Sequence, residues 1–559
     1  VHHELEAVCD AYWELTLEAS PTFATLIGDH RHDDRVEDWS AEGEAAERER
    51  LLGVRADAAA LAPDALDDSG RVTRDLLIGE IDDRVRLIDL GVTELRSDQM
   101  DGPAAAYLQS APQLAYPSAE AAAMALERLA ALPAALDQAA DRFRAGAARG
   151  RTPARLAVAR SISLVDAYLG SPLADDPFAN ATGPAEWEGE RGWRERLRDV
   201  VERHVRPGFV RFRDVLADEL LPAARPDDRA GLCWLDDGDE LYAALVAGYT
   251  ALDVSAEEIH RIGLEEIERL ADEYADLGAR ALSTSDPAAV IARLRRDPTL
   301  RYESAEQVMA LATAALERAH EAMGAWFGRL PRATCRIERV PAALAPDVPP
   351  AYYYPPAADG SRPGTYFVNT HEPTGRNRFE AETIAFHEAI PGHHLQIAIA
   401  AELPELPSFR RHGIGNTAFV EGWGLYAERL ADEMGLYSDD LQRLGMLAAD
   451  SWRAGRLVVD TGLHALGWSR QRAVDWFVAN TPVATDDVEV EVDRYVALPG
   501  QAVSYKLGQR HLMELRNRAR SALGDRFDVR AFHDVVLGSG GVTPRVLTAN
   551  VESWVAAHG

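Results

Sequence analysis

Lysine is nearly absent from this chain: of its 59 basic residues only Lys506 is a lysine, and arginine holds every other cationic position. Cysteine is scarce as well. Cys9, Cys233 and Cys335 lie far apart with no CxxC pair, which argues against a disulfide framework or a cysteine-rich zinc site and leads us to expect a reducing, cytoplasmic compartment. No apolar run reaches the roughly 18–20 residues that span a bilayer; a stretch such as "AAAMALERLAALPAALDQAA" at 121–140 is broken by charges. Net positive charge is missing too. The formal charge of −32 repels phosphate backbones and anionic headgroups, so nucleic acid and membrane are poor partners and a neutral or cationic small substrate fits better.

What is present is length and helical period. A chain of 559 residues, 47% of them hydrophobic, can bury a large core as several domains or as one bilobed enzyme. "SAEEIHRIGLEEIERLADEYADL" (255–277) opens on a capping box, Ser255 with Glu258, and carries Ile259, Ile262, Ile267 and Leu270 on one stripe. Ser304 and Gln307 open a similar helix at 304–327, and others are expected around 4–18, 41–62, 69–90, 118–147, 151–169 and 190–220. Between 329 and 378 the texture changes to proline and glycine, with two expected strands, "CRIERV" (335–340) and "TYFVNT" (365–370). The expected organisation is an N-terminal helical region, 1–330, and a catalytic region, 331–559, forming one integrated unit. The expected fold class is mainly α, bilobed, with a small β-sheet beside the active-site helix.

The stretch that points to chemistry is "HEAIPGHH" at 387–394. Zinc ligands must converge to about 2.0–2.2 Å, which two histidines one helical turn apart achieve. In an unbroken helix neither His393 nor His394 can join His387: at about 100° and 1.5 Å per residue, the first points to another face and the second lies roughly 10 Å along the axis. Pro391 supplies a break and Gly392 tolerates it, so that one of His393 and His394 takes the second ligand's place, His393 being preferred and His394 beside it touching metal or substrate. The third ligand is expected to be Glu421 in "NTAFVEGWGLYAERLADEMG" (416–435), a carboxylate among Phe419, Val420, Trp423 and Leu425 that is costly to bury unless paired or metal-bound. Glu428, two turns on, is expected to orient a ligand histidine. Glu388 then serves as general base beside one zinc ion per chain.

These segments carry a resemblance. "HEAIPGHHLQ", "EGWGLYAERL", "DTGLHALGWS" and "PGQAVSYKLG", with "SPTFATLIGDHRHDD" (20–34) and "SRPGTYFVNT" (361–370), resemble the bacterial family of unknown function DUF885 in the same order over nearly the whole chain. That family in turn resembles the mostly helical gluzincin peptidases, which implies an active site in a groove between helical lobes, His387 and His393 as ligands, Glu388 as base and Glu421 as the glutamate ligand. The longer Pro-Gly spacer departs from the gluzincin pattern. The resemblance also implies a downstream donor to the oxyanion, for which Tyr505 is the candidate, with His464 of "DTGLH" as a second.

Other residues are candidates for holding substrate. Lys506, the sole lysine, marks a position where a compact ammonium suits a substrate carboxylate. Arg453 and Arg456 share a polar stripe with Asp460 and His464 on an otherwise apolar helix, either a solvated face or the lining of a polar cavity that binds a carboxylate. "TYFVNT", with Tyr366 and Asn369, is expected to be an edge strand able to hold a peptide by strand addition, with Tyr352, Tyr353 and Tyr354 flanking the entrance or covering the core. The leading expectation is a zinc-dependent hydrolase of short peptides, carboxypeptidase-like or dipeptidase-like. The alternatives are a metal-dependent amide or ester hydrolase of a small metabolite or modified amino acid, and a non-catalytic helical binding protein.

Overall fold

The computed structural model describes residues 2–341, 345, 349–356, 362–413 and 415–559. The chain is mainly α, and it divides into two compact units. The first comprises Val1–Ala244, Leu463–Arg472 and Val490–Pro499. Its centre is helix α1 (Ala119–Ala148), whose N-cap Ser118 accepts a hydrogen bond from the Ala121 N–H. Small residues on one side of it, among them Ala122, Ala125, Ala135 and Ala139, let neighbours approach closely. Against it packs α2 (Arg206–Asp214), which buries Phe209 and Phe212. Each such phenylalanine contributes roughly 1.5–3 kcal/mol by leaving water.

The second unit comprises Leu245–Gly462, Ala473–Glu489 and Gly500–Gly559, so residues 245–330 belong with the metal-motif helices. Helices α3 (Ala256–Ala281) and α4 (Ala305–Trp326) begin at the expected caps, Ser255 and Ser304, each accepting a backbone N–H three residues on. Three strands follow: β1 (Cys335–Arg339), β2 (Ala351–Tyr354) and β3 (Gly364–Val368). Their order is β1-β3-β2, with β1 parallel and β2 antiparallel to β3.

The expectation that 365–370 forms an edge strand is therefore corrected. β3 is central, because the tyrosine triplet, bounded by Pro349, Pro350, Pro355 and Pro356, supplies a strand of its own. Proline on both flanks suits an edge position, where a missing N–H costs no ladder bond. Helices α5 (Ala381–Glu388), α6 (His393–Ala401), α7 (Thr417–Glu433), α8 (Asp440–His464) and α9 (Ser504–Leu523) complete what positions the site. Among the described residues no helix is long and apolar enough to cross a membrane.

Candidate metal centre

The helix breaks where Pro391 requires it. α5 ends at Glu388, the Ile390–Pro391 peptide is cis, and α6 starts at His393. Gly392 admits no side chain, since a Cβ there would lie 1.9 Å from the His387 carbonyl oxygen. The Trp423 indole N–H, buried on α7, donates to the carbonyls of Pro391 (3.0 Å) and Gly392 (3.3 Å), so polar groups freed by the break are satisfied by the next helix.

The break swings His393 over His387, with ring centroids 4.6 Å apart and planes at 87°. Glu421 comes up from the first turns of α7, and its Oε2 lies 3.5 Å from Nε2 of each histidine. Ligand atoms about 2.1 Å from a tetrahedral zinc are about 3.4 Å apart, so the spacing fits one ion. Among the described residues this is the one cluster of histidine, cysteine and carboxylate groups arranged to share a metal, its ligand atoms all within 4.8 Å of one another. His387 Nδ1 bonds Glu428 Oε1 at 2.7 Å, which turns its Nε2 toward Glu421. A Cβ at position 424 would sit 2.6 Å from the His387 ring, so the Gly-Trp-Gly sequence of α7 is what lets that ring lie against the helix.

The electrostatics suit a cation. Burial opposes charge on His387, yet Glu421 and Glu428 overcome it and push its pKa up to about 10. Burial alone would raise Glu421, but hydrogen bonds and charge from His387 and His393 take its carboxyl well below the usual range. Glu388 is raised above the ordinary carboxylate range, chiefly by burial, while His387, His393 and Arg453 draw it down and Glu421 pushes it up.

Other expected site residues lie elsewhere or are already committed. His394 turns from the cluster to the sheet: its Nδ1 meets the Tyr353 hydroxyl at 2.8 Å and its Nε2 the Ala333 carbonyl at 3.1 Å. With both nitrogens taken, it is not a ligand. His464 is fully buried, accepts from the Leu232 N–H at Nδ1 (3.2 Å), bonds the Tyr495 carbonyl through Nε2 (2.9 Å) and stacks on Tyr242, so it has no nitrogen left for an oxyanion. Lys506 is buried against Asp450, with Gln509 Oε1 at 2.7 Å and Glu266 at 3.4 Å, and has no reach toward a substrate carboxylate. The Asn369 side chain binds the chain itself, donating to the carbonyls of Ala345 and Pro349 and accepting from the His371 N–H.

The remaining candidates are Arg453, Arg456, Tyr505 and Tyr366. Arg456 lies over the rings of Trp452 and Tyr505, 4.9 and 4.5 Å from their centroids, which places Tyr505 beside a cation at the start of α9. Arg453 stacks on Trp452, and its Nε is buried with no hydrogen-bond partner among the described residues. Tyr366 is 1% exposed on β3. Gly424 and Trp423 were not foreseen as site residues, and the alternating glycines of "EGWG" were the legible signal for the first; Tyr353, expected at the entrance or over the core, bonds His394.

The chain matches the family described as "Bacterial protein of unknown function (DUF885)" over residues 21–551, and it belongs to that family. A candidate lipoprotein from Colwellia psychrerythraea has a similar crystal structure, with TM-score 0.90, 26% identity and 99% of each chain covered. A candidate lipoprotein of unknown function from Shewanella oneidensis shares the fold, with TM-score 0.75, 18% identity and 98% of each chain covered. No curated protein matches the chain.

Proposed function

We propose that this member of DUF885 is a zinc-dependent hydrolase of short peptides, acting near a free carboxyl end in the manner of a carboxypeptidase or dipeptidase. The observation that carries the reading is the convergence of His387, His393 and Glu421 to one ion's spacing with Glu388 next in the chain. Those three residues would hold the metal. When bound, zinc supplies a Lewis acid that polarises a carbonyl and acidifies water. Glu388, its basicity raised by burial, takes the proton of the attacking water and passes it to the leaving amine. Glu428 keeps His387 in the orientation that directs Nε2 inward.

Two features favour a peptide over another amide. The Asn369 N–H donates to the Pro350 carbonyl and the Val340 N–H to the Val368 carbonyl, which sets the alternation of the ladder: 352 and 354 bond β3, while the N–H and C=O of Ala351 and Tyr353 face the other edge of β2, which no strand among the described residues pairs. β2 packs on α5, so this edge offers main-chain partners to an extended substrate near Glu388. Arg453, which has no ion pair among the described residues and whose charge reaches Glu388, suits a terminal carboxylate. The test is a peptide-library digest read by mass spectrometry with and without chelator. Cuts one or two residues from the carboxyl end, abolished by the chelator, are expected; a zinc-loaded protein that cuts no peptide but hydrolyses small amides would move the reading to a metabolite hydrolase. The cytoplasmic location expected from the cysteines competes with that of a lipoprotein, the word that describes both solved relatives, and cell fractionation decides between them.

A further inference from the structure

Of the two donors expected for the oxyanion, His464 has both ring nitrogens engaged elsewhere and Tyr505 lies with its ring under the Arg456 guanidinium. A hydrolytic centre still needs a fixed donor where the scissile carbonyl becomes negative. We propose that the Tyr366 hydroxyl is that donor, an assignment that rests on the hydrolase reading above. Tyr366 pairs with Tyr353 across the antiparallel ladder, and paired residues point to the same face of a sheet. That face is the one turned to the metal helices, because the Tyr353 hydroxyl reaches His394, the immediate neighbour of the ligand His393. One pleat away on the same side, Gly364 lies against the His394 ring.

The hydroxyl itself is the second observation. The Tyr366 side chain is almost wholly buried, and among the described residues its oxygen makes no hydrogen bond, whereas the buried tyrosines Tyr12, Tyr274 and Tyr426 each bond a partner. A phenol oxygen that no described residue engages is available to donate to a ligand that accepts from it. Burial, then the neighbouring Tyr302 and the charge of Glu388, keep the phenol protonated far above neutral pH, although Arg376 pulls the other way. Tyr366 therefore remains a donor throughout the working range. It keeps its proton during the reaction, and proton transfer stays with Glu388. Its place in the central strand, paired on both sides, holds the donor rigid.

The experiment is Tyr366→Phe, which removes one oxygen and nothing else. Zinc content and melting temperature are expected to hold, since no hydrogen bond of the fold is lost. The kcat for a peptide identified by the digest is expected to fall about 10²–10³-fold with KM changed little. Calorimetry with a phosphinic pseudodipeptide, whose tetrahedral anion mimics the reacting centre, is expected to show affinity weakened by a similar factor. A variant that retains kcat and inhibitor affinity within about threefold overturns the assignment, and so does one that melts like a core lesion, because the hydroxyl then serves the fold. If wild type cleaves and Tyr366→Phe equals it, only this assignment falls; if wild type cleaves nothing with zinc bound, the hydrolase reading falls and takes this one with it.

Discussion

Helix α7 carries charge on two faces, and the two are built to opposite specifications. One presents Glu421 to His387 and His393, its Oε2 3.5 Å from each Nε2, and Glu428 to Nδ1 of His387 at 2.7 Å. The other presents Arg429 to Asp450 and Glu273, and around them Lys506, Arg269 and Arg510 pair with Asp450 and Glu266. That second cluster lines a cavity of about 870 Å³. Yet each of its charges already has a counter-charge. A centre that awaits a ligand is recognisable by what it leaves unmatched, and a structural cluster by its closure; cavity volume distinguishes neither.

Changing the open cluster should abolish chemistry while sparing the fold. His387→Ala is expected to lose zinc from about one equivalent to near none, by elemental analysis. Glu388→Gln is expected to keep the metal and lose about 10²–10⁴-fold in turnover. Full activity in Glu388→Gln would place the base elsewhere.

Changing the closed cluster should do the reverse. Lys506→Ala removes one charged partner from buried Asp450 and Glu266, which keep Arg429, Arg269 and Arg510, and is expected to destabilise by about 1.5–3 kcal/mol in denaturant melts. Zinc stoichiometry of the folded protein should be unaffected. Removing Asp450 as well should cost less than the sum of the single changes, because the two share one interaction. If Lys506→Ala instead melts like wild type and raises KM alone, the lysine holds substrate and the contrast between the two faces is lost. Between these extremes lies Glu428→Gln, which keeps the carbonyl acceptor for His387 Nδ1 but removes its charge; zinc affinity is expected to weaken about 10–100-fold by competitive chelation.

The spacing in "HEAIPGHH" was legible because helix geometry rejects a straight reading and proline forces a break, and the Ser255 and Ser304 caps were legible because they act within one turn. The choice between His393 and His394 was not, since Tyr353 and Ala333, distant in sequence, decide it. The polar stripe of α8 misled for a related reason: a histidine buried among carbonyls and one lining a cavity occupy the same helical positions, and only tertiary partners separate His464 from a catalytic donor. Edge status of a strand likewise depends on what pairs with it. The tyrosine triplet lacked the length and alternation of a clear strand and became β2 through pairing with β3. Lys506 stood out in composition for a reason that composition cannot name.

The smallest expected effect concerns acid, and it separates groups that are satisfied as charges from groups that are satisfied as neutral bases. His464 in the first unit and His533 in the second are buried, each with ring nitrogens bonded, and burial lowers the pKa of both to about 4. Unfolded, each returns to about 6.5. Between those values the unfolded chain binds more protons, so stability falls as pH drops from 6.5 toward 4, at most on the order of 1 kcal/mol per pH unit for each histidine. Asp450 and Glu266 are shifted the other way: Lys506 and arginines overcome burial and hold both carboxyls below the usual range, so their contribution persists through that window and is lost only at lower pH. Denaturant melts from pH 7 to 3 should therefore show a gentle histidine slope first and a carboxylate loss after it. Substituting His533 by glutamine should reduce the first slope and leave the second, whereas Lys506→Ala should reduce the second and leave the first; a single transition moved equally by both variants would mean that the two kinds of burial are not independent.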